Sequence, residues 1–113
     1  MKSFLALYMG SMSTDAPAPG DLSEETIAAG MKAWGDWMTR HADVIVVTGG
    51  PCGKTLKASA EGISPMRNAV SGYVVVQAET HEAVTALFEG HPHFAIFPGE
   101  SVEVMECLPI PGQ

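Results

Sequence analysis

Two histidines separated by a single residue, His91 and His93, are the strongest candidates for chemistry in this sequence. They flank Pro92 in a segment that follows the last predicted helix. In an extended segment, residues two apart point to the same side, so both imidazoles could face one site. Because histidine exchanges protons near neutral pH, we expect His93 first, and His91 second, to act in catalytic proton transfer.

The same pair allows two other interpretations. A metal site would need a third ligand, and Asp36, His41 or Glu103 could supply one only if the fold brought it close. Alternatively, the pair lies in a solvated loop, or one imidazole caps the end of the preceding helix. The spacing alone does not define a metal site, so the sequence predicts neither a metal nor a cofactor.

Five aromatic side chains are the candidates for binding a ligand. Small-molecule pockets are usually lined by apolar and aromatic side chains with a few polar groups. For each residue alone, ordinary core packing is the alternative. Together, their placement on the first helix and on the strands beneath it favours a cleft between the two. The candidates are Tyr8, Trp34, Trp37, Tyr73 and Phe94.

Two further motifs do not meet the requirements of the chemistry that they suggest. The stretch 48–55 (TGGPCGKT) resembles a phosphate-binding loop, but Thr48 occupies the position of the required first glycine. His81 and Glu82 begin like a zinc-protease helix, but Thr85 stands where the second histidine is needed. Cys52, close to Lys54, could be a reactive thiol, since a nearby cation lowers a thiol pKa.

Composition excludes several classes of function. The 113 residues suit one domain, with 6 Lys+Arg against 13 Asp+Glu and a net charge of −7. Such an acidic chain is a poor partner for nucleic acid or anionic lipid. No apolar stretch approaches the roughly 20 residues of a membrane span. We therefore expect a cytoplasmic protein in which Cys52 and Cys107 are reduced.

The periodicity predicts four main strands and two helices. A helix beginning after Ser23 should bury Ile27, Met31, Trp34, Met38 and His41, with Trp37 on a flank. The β-branched run 44–48 is typical of a strand buried on both faces. Met31, Met38, Met66 and Met105 are expected to fill gaps in the core. The expected elements are strands 2–9, 44–48, 72–78 and 101–107, a weak strand 55–59, helices 23–41 and 81–89, and loops 11–21 and 61–65.

This order, β-α-β-β-α-β with one weak extra strand, predicts an α+β ferredoxin-like protomer. Two helices cover only one face of a four-stranded sheet. An uncovered apolar face commonly binds a second subunit, so we expect a homodimer that associates through the sheet.

Several short stretches carry a resemblance to a known family. They are FLALY at 4–8, the helix with Met31, Trp34, Trp37 and Met38, TGGP at 48–51, GYVVVQA at 72–78, the segment around Pro92 and VEV at 102–104. Together they resemble the YCII-related family, also called DGPF-domain proteins, across nearly the whole chain. The resemblance implies a dimeric α/β barrel on a ferredoxin-like protomer, with a pocket between sheet and helices.

Two departures limit what the resemblance implies. The DGPF tetrapeptide is absent, and the chain has GISPM at 62–66 with a shorter loop. In one branch of the family, a histidine on the first helix forms a catalytic pair with an aspartate. Here Trp34 or its neighbour Ala33 stands at about that position, so this catalytic inference is not transferred.

The sequence therefore predicts a single domain, residues 1–113, that binds a small, partly apolar molecule in a helix–sheet cleft. Cofactor-independent acid–base chemistry in that cleft is an additional hypothesis. The alternative is a non-catalytic interaction or accessory module that acts through its dimer surface. The enzyme hypothesis expects His91 or His93 to face a concave pocket, whereas the alternative expects a filled cleft and an exposed apolar patch.

Overall fold

The computed structural model describes residues 1–11 and 22–112. Within these ranges the chain forms six strands and three helices. In chain order they are β1 (Lys2–Met9), α1 (Glu24–Arg40), β2 (Ile45–Pro51), β3 (Thr55–Ser59), β4 (Gly62–Met66), β5 (Val70–Ala78), α2 (His81–Ala86), α3 (Pro92–Ala95) and β6 (Ser101–Glu106). The loop expected over 11–21 lies, apart from its first residue, outside the described residues.

Four strands form one sheet in the order β2-β5-β1-β6. Strand β1 pairs antiparallel with β5 and β6, and β2 pairs antiparallel with β5. The strands β1 and β2 therefore run in the same direction with β5 between them, which is the arrangement of a split βαβ unit. This strand order confirms the α+β ferredoxin-like fold. No helix among the described residues is long and apolar enough to cross a membrane.

The hydrophobic core lies between the central strands and the helices. Alternate residues of β1 and β5 point into it, as the two-residue period of a strand requires. Truncating one large buried side chain of such a core typically lowers the free energy of unfolding by about 2–5 kcal/mol. The buried apolar residues are Phe4, Ala6 and Tyr8 of β1, Val74 and Val76 of β5, Trp37 of α1, and Val84 and Phe88 near α2.

Helix α1 begins where the sequence predicts. The Ser23 hydroxyl accepts a hydrogen bond from the Thr26 backbone N–H, which satisfies one of the free donors of the first turn. The predicted buried face is wrong by part of a turn. Trp37, expected on a flank, is 2% exposed and donates its indole N–H to the Leu87 carbonyl, whereas Met31 is 62% exposed. Gly30 is the other buried residue of the helix.

The expectation that strand 44–48 is buried on both faces is also wrong. Among the described residues, strand β2 lies at the edge of the sheet and pairs only with β5, and Val46 and Val47 are about half exposed. A run of β-branched residues favours a strand but does not determine its position in the sheet. Likewise, Met66 and Met105 are exposed rather than core residues.

Strands β3 and β4 form a separate two-stranded hairpin. The weak strand predicted at 55–59 is present, but its partner β4 occupies residues that the sequence predicts as a loop. Pro65 is tolerated there because an edge position in a two-stranded hairpin leaves one side of the strand without ladder bonds. Gly62, with a φ of 107°, provides the left-handed backbone at the turn.

The second predicted helix is shorter than expected. The Thr80 side chain caps α2 by accepting from the Ala83 N–H, as predicted. The chain then turns at Gly90, which has a φ of 68°, and forms the short helix α3. The segment around Pro92 is therefore helical rather than extended, because Pro92 occupies the first turn of α3 and its fixed φ suits that position.

Candidate functional site

A cleft of about 530 Å³ opens between α1 and one edge of the sheet. This volume is within the range of small-ligand pockets. Helix α1 forms one wall, β2 and β5 form the opposite wall, and Phe97, from the loop before β6, lines it as well. The lining residues are Tyr8, Met31, Trp34, Gly35, Met38, Thr48, Gly50, Pro51, Ser71, Gly72, Tyr73 and Phe97.

Three glycines shape the cleft and the strands beside it. A side chain at Gly72 would come within 2.9 Å of the Gly50 carbonyl oxygen, so the two strands can approach closely only without one. Gly49 has a φ of 67°, and a Cβ there would collide with the Tyr73 backbone. On α1, Gly35 faces open space, since a Cβ at this position would meet no atom of the described residues within 4 Å. Gly49 and Gly72 thus allow β2 and β5 to pack closely beside the cleft, and Gly35 leaves space at its wall.

The five aromatic candidates divide into two groups. Tyr8, Trp34 and Tyr73 line the cleft. Trp37 is buried in the core, where its ring centroid lies 5.0 Å from that of Phe88, and it is not part of the described wall. Phe94, on α3, is 37% exposed and also lies outside the wall. The structure thus brings together three of the five residues selected from sequence.

His91 is buried at 1% exposure, immediately before α3. Its Nδ1 accepts the His93 backbone N–H at 3.0 Å, so the proton of the neutral imidazole resides on Nε2. That Nε2 is buried, and no partner for it lies among the described residues. Burial, with the nearby His93 and His41, lowers the pKa of His91 to about 4. His91 is therefore neutral near pH 7.

His93 is 7% exposed and links α3 to β1. Its Nε2 lies 2.8 Å from the Met9 carbonyl oxygen, and because a carbonyl can only accept, this nitrogen carries a proton and donates it. Gly99 packs so closely on the His93 ring that no side chain would fit there. Neither His91 nor His93 lies on open surface, and neither forms the cleft wall; both pack against Trp34 and Tyr8, which do.

The Tyr8 hydroxyl is the second buried polar group without a partner. Tyr8 is 5% exposed, and no described residue is in hydrogen-bonding geometry with its oxygen. Burial raises the pKa of Tyr8 to about 12, and the Trp34 side chain, which approaches the hydroxyl oxygen without reaching hydrogen-bonding geometry, opposes part of this rise. The hydroxyl therefore keeps its proton throughout the physiological range and can donate a hydrogen bond.

The described wall of the cleft contains neither an acidic nor a basic side chain. In the ranges 1–11 and 22–112, no three His, Cys, Asp or Glu side chains come close enough to hold a metal ion. Cys52 and Cys107 are both free and exposed. Within these ranges, the arrangement can hold an apolar molecule and offer it a few hydrogen bonds.

Sequence reasoning missed several residues of the wall. Met31 and Met38 were expected in the core, and Phe97 was not considered. A signal for the methionines was present, since residues 31, 34, 35 and 38 recur at helical spacing and share one face of α1. For Phe97 no such signal exists, because its place depends on how the loop before β6 lies across α1.

Comparison with solved structures agrees with the ferredoxin-like fold. One similar structure is 5-chloro-2-hydroxyhydroquinone dehydrochlorinase (TftG) from Burkholderia phenoliruptrix AC1100, in complex with 2,5-dihydroxybenzoquinone. The TM-score is 0.55, the sequences are 17% identical, and the match covers 94% of this chain and 93% of that chain. At this identity the likeness shows the fold alone. No protein-family model and no curated protein sequence matches the chain.

Proposed function

We propose that this protein binds a small, largely apolar molecule in the cleft between α1 and the sheet. The observation that carries the proposal is the cleft itself, about 530 Å³ in volume, with Trp34, Met31, Met38 and Phe97 in its wall. Pockets of this size with mainly apolar walls are the usual sites of small ligands. The cleft is open rather than filled, which favours binding over the accessory-module alternative.

The structural neighbour supports the proposal at the level of ligand size. TftG is described in complex with 2,5-dihydroxybenzoquinone, a single-ring compound, on a fold that matches 94% of this chain. A one-ring molecule fits a cleft of the volume seen here. Together with the sequence resemblance, this likeness also supports membership of the YCII-related family, which we propose for this chain.

Acid–base catalysis by His93 and His91 stays a prediction, and the geometry supports it less than binding. His93 Nε2 already donates to Met9, and His91 Nδ1 already accepts from the His93 backbone. Both rings pack against Tyr8 and Trp34 and are not part of the described wall of the cleft. Proton transfer to a bound molecule would require these side chains to move, so ligand binding is the function that we conclude.

Filling the cleft tests the proposal. Replacing Gly35→Leu adds a side chain where no atom of the described residues lies within 4 Å of the new Cβ, so it should occupy the cleft without disturbing the fold. The control Ala29→Leu adds the same side chain at an exposed position of α1 outside the wall. Titrations of ¹⁵N-labelled protein with acetophenone, followed by NMR, should give saturable shifts of wall residues in wild type and Ala29→Leu, and at least tenfold weaker binding in Gly35→Leu.

Equal affinity in all three proteins would contradict binding in this cleft. The absence of saturable shifts in wild type, for acetophenone and for a panel of other one-ring compounds, would also contradict it. The fold of each variant is checked by the dispersion of its amide spectrum.

Self-association through the sheet is the second part of the proposal. Leu5, Leu7 and Val75 point away from the core, and Met105, opposite Leu5, and Val47, opposite Val75, are about half exposed. Tyr73 and Glu103 are opposite Leu7, so a carboxylate borders this face. This apolar sheet face, formed by the first five of these residues, favours a homodimer, and it is also the surface through which a non-catalytic accessory module would act.

A further inference from the structure

Two polar atoms in the described core lack a hydrogen-bond partner, and they belong to neighbouring rings. They are the Tyr8 hydroxyl oxygen and His91 Nε2, whose rings have centroids 5.2 Å apart. More than nine-tenths of each residue is buried. Because buried polar groups in folded proteins nearly always have partners, two such groups side by side point to a missing third group that binds both.

Trp34 packs against both of these groups at the wall of the cleft, which the Tyr8 ring also lines while its hydroxyl oxygen stays buried. Its ring centroid lies 4.8 Å from that of Tyr8 and 4.7 Å from that of His91. Trp34 is only half-buried and forms part of the cleft wall, whereas His91 does not. Access from the cleft to both polar atoms at once would therefore require the Trp34 side chain to move.

Resting on the proposed function, we infer that the Tyr8 hydroxyl and the His91 Nε2–H form a polar subsite behind Trp34. This subsite binds an uncharged oxygen atom of the ligand, the carbonyl oxygen of a ketone or quinone or the oxygen of a phenol, after the Trp34 side chain turns aside. The ligand class is thus a small ring compound that bears such an oxygen.

The chemistry of the two groups sets this preference. With Nδ1 occupied by the His93 backbone, His91 can only donate from Nε2, and the Tyr8 hydroxyl can donate as well. Two donors suit one oxygen acceptor. Both groups are neutral, the described wall holds no cation, and the chain carries a net charge of −7, so an anionic oxygen gains no charge partner here.

A matched pair of probes tests the subsite. Acetophenone and α-methylstyrene have the same shape, but one carries a carbonyl oxygen where the other carries a methylene group. Tyr8→Phe removes one proposed donor and no packing surface, and the control Thr39→Val removes a hydroxyl at an exposed position of α1 outside the described wall. The dissociation constants of both probes are measured by NMR titration for the wild type and the two variants.

The measured quantity is the ratio of the two dissociation constants, acetophenone over α-methylstyrene. We expect Tyr8→Phe to raise this ratio about 3- to 10-fold, the effect of one hydrogen bond, and Thr39→Val to leave it unchanged. Comparing ratios between proteins cancels the different solubilities of the probes. Because Tyr8→Phe removes an unpartnered hydroxyl, we expect the variant to fold.

The two tryptophan indole signals report the proposed movement. The Trp34 signal, assigned through Trp34→Phe, should shift more with acetophenone than with α-methylstyrene, whereas the Trp37 signal, bonded to Leu87, should shift little with either. If both probes bind and the ratio is the same in wild type and Tyr8→Phe, a water or nothing occupies the subsite, and the inference is wrong while the proposed function stands. If neither probe binds, both are wrong.

Discussion

His91 illustrates how burial determines which form of a histidine a fold can hold. Its Nδ1 accepts the His93 backbone N–H, and a proton on Nδ1 would break that bond inside the core. The groups around the imidazole are His93 on α3, His41 at the end of α1 and Tyr8 on β1, and none of them is an anion. The neutral form is therefore the one that the folded state stabilises.

This neutral form makes stability depend on pH. The pKa of His91 is about 4 in the folded protein against 6.5 in the unfolded chain, so its contribution is complete above pH 6.5 and is lost as the pH falls toward 4. The free energy of unfolding should fall by at most ~1.4 kcal/mol per pH unit in this window. Urea unfolding at several pH values, between 4 and 7.5, measures it.

His91→Asn is the matched variant for this prediction. Asparagine is a good residue before a helix and its side-chain oxygen can accept the His93 N–H, but it does not titrate. The variant should be less stable than wild type at pH 7 and should show a shallower decrease between pH 6.5 and 4. Parallel decreases in both proteins would assign the pH dependence to other groups.

Within α1, Gly30 and Gly35 lower helix stability by the same intrinsic amount but have different surroundings. A Cβ at Gly35 would meet no described atom within 4 Å, whereas a Cβ at Gly30 would collide with the Phe97 ring and lie 3.1 Å from the Ile96 side chain. Helix propensity favours alanine over glycine by about 0.5–1 kcal/mol at either position. The difference between the two substitutions therefore isolates the packing of the Phe97 loop on the helix.

Gly35→Ala should raise the free energy of unfolding by about 0.5–1 kcal/mol. Gly30→Ala should show no such gain, because the Phe97 ring must move to accommodate the methyl group. Since Phe97 lines the cleft, this variant should also change the affinity for acetophenone. Chemical denaturation of both variants tests the prediction; equal stabilisation would show that the Phe97 loop does not pack on Gly30 in solution.

For the whole molecule, the apolar sheet face defined above predicts a dimer. Light scattering of the wild type should give about twice the 11.9 kDa chain mass at micromolar concentration. Met105→Lys places a charge on this face at the edge strand β6 and should shift the mass toward the monomer. Ala29→Lys adds the same charge on the exposed side of α1 and should leave the mass unchanged. A monomeric wild type would rule out the dimer.

The succession of strands and helices was predictable because it depends on local patterns. The apolar run of β1, the cap at Ser23, the cap at Thr80 and the apolar run of β5 each depend on neighbours within a few residues. That succession is the one typical of the ferredoxin-like fold, which the structure confirms. The sequence also identified three aromatic residues of the wall among its five candidates, because helix α1 and the strands beneath it must pack together.

Only the tertiary structure decided which residues are buried and which form the site. Strand β2 is an edge because β5 pairs with β1, and that pairing joins residues some 70 positions apart, which no local pattern encodes. The same long-range packing places Trp37, rather than Met31, in the core. It also placed His91 against Tyr8 and Trp34, since a histidine's partners and protonation depend on the chain folded around it.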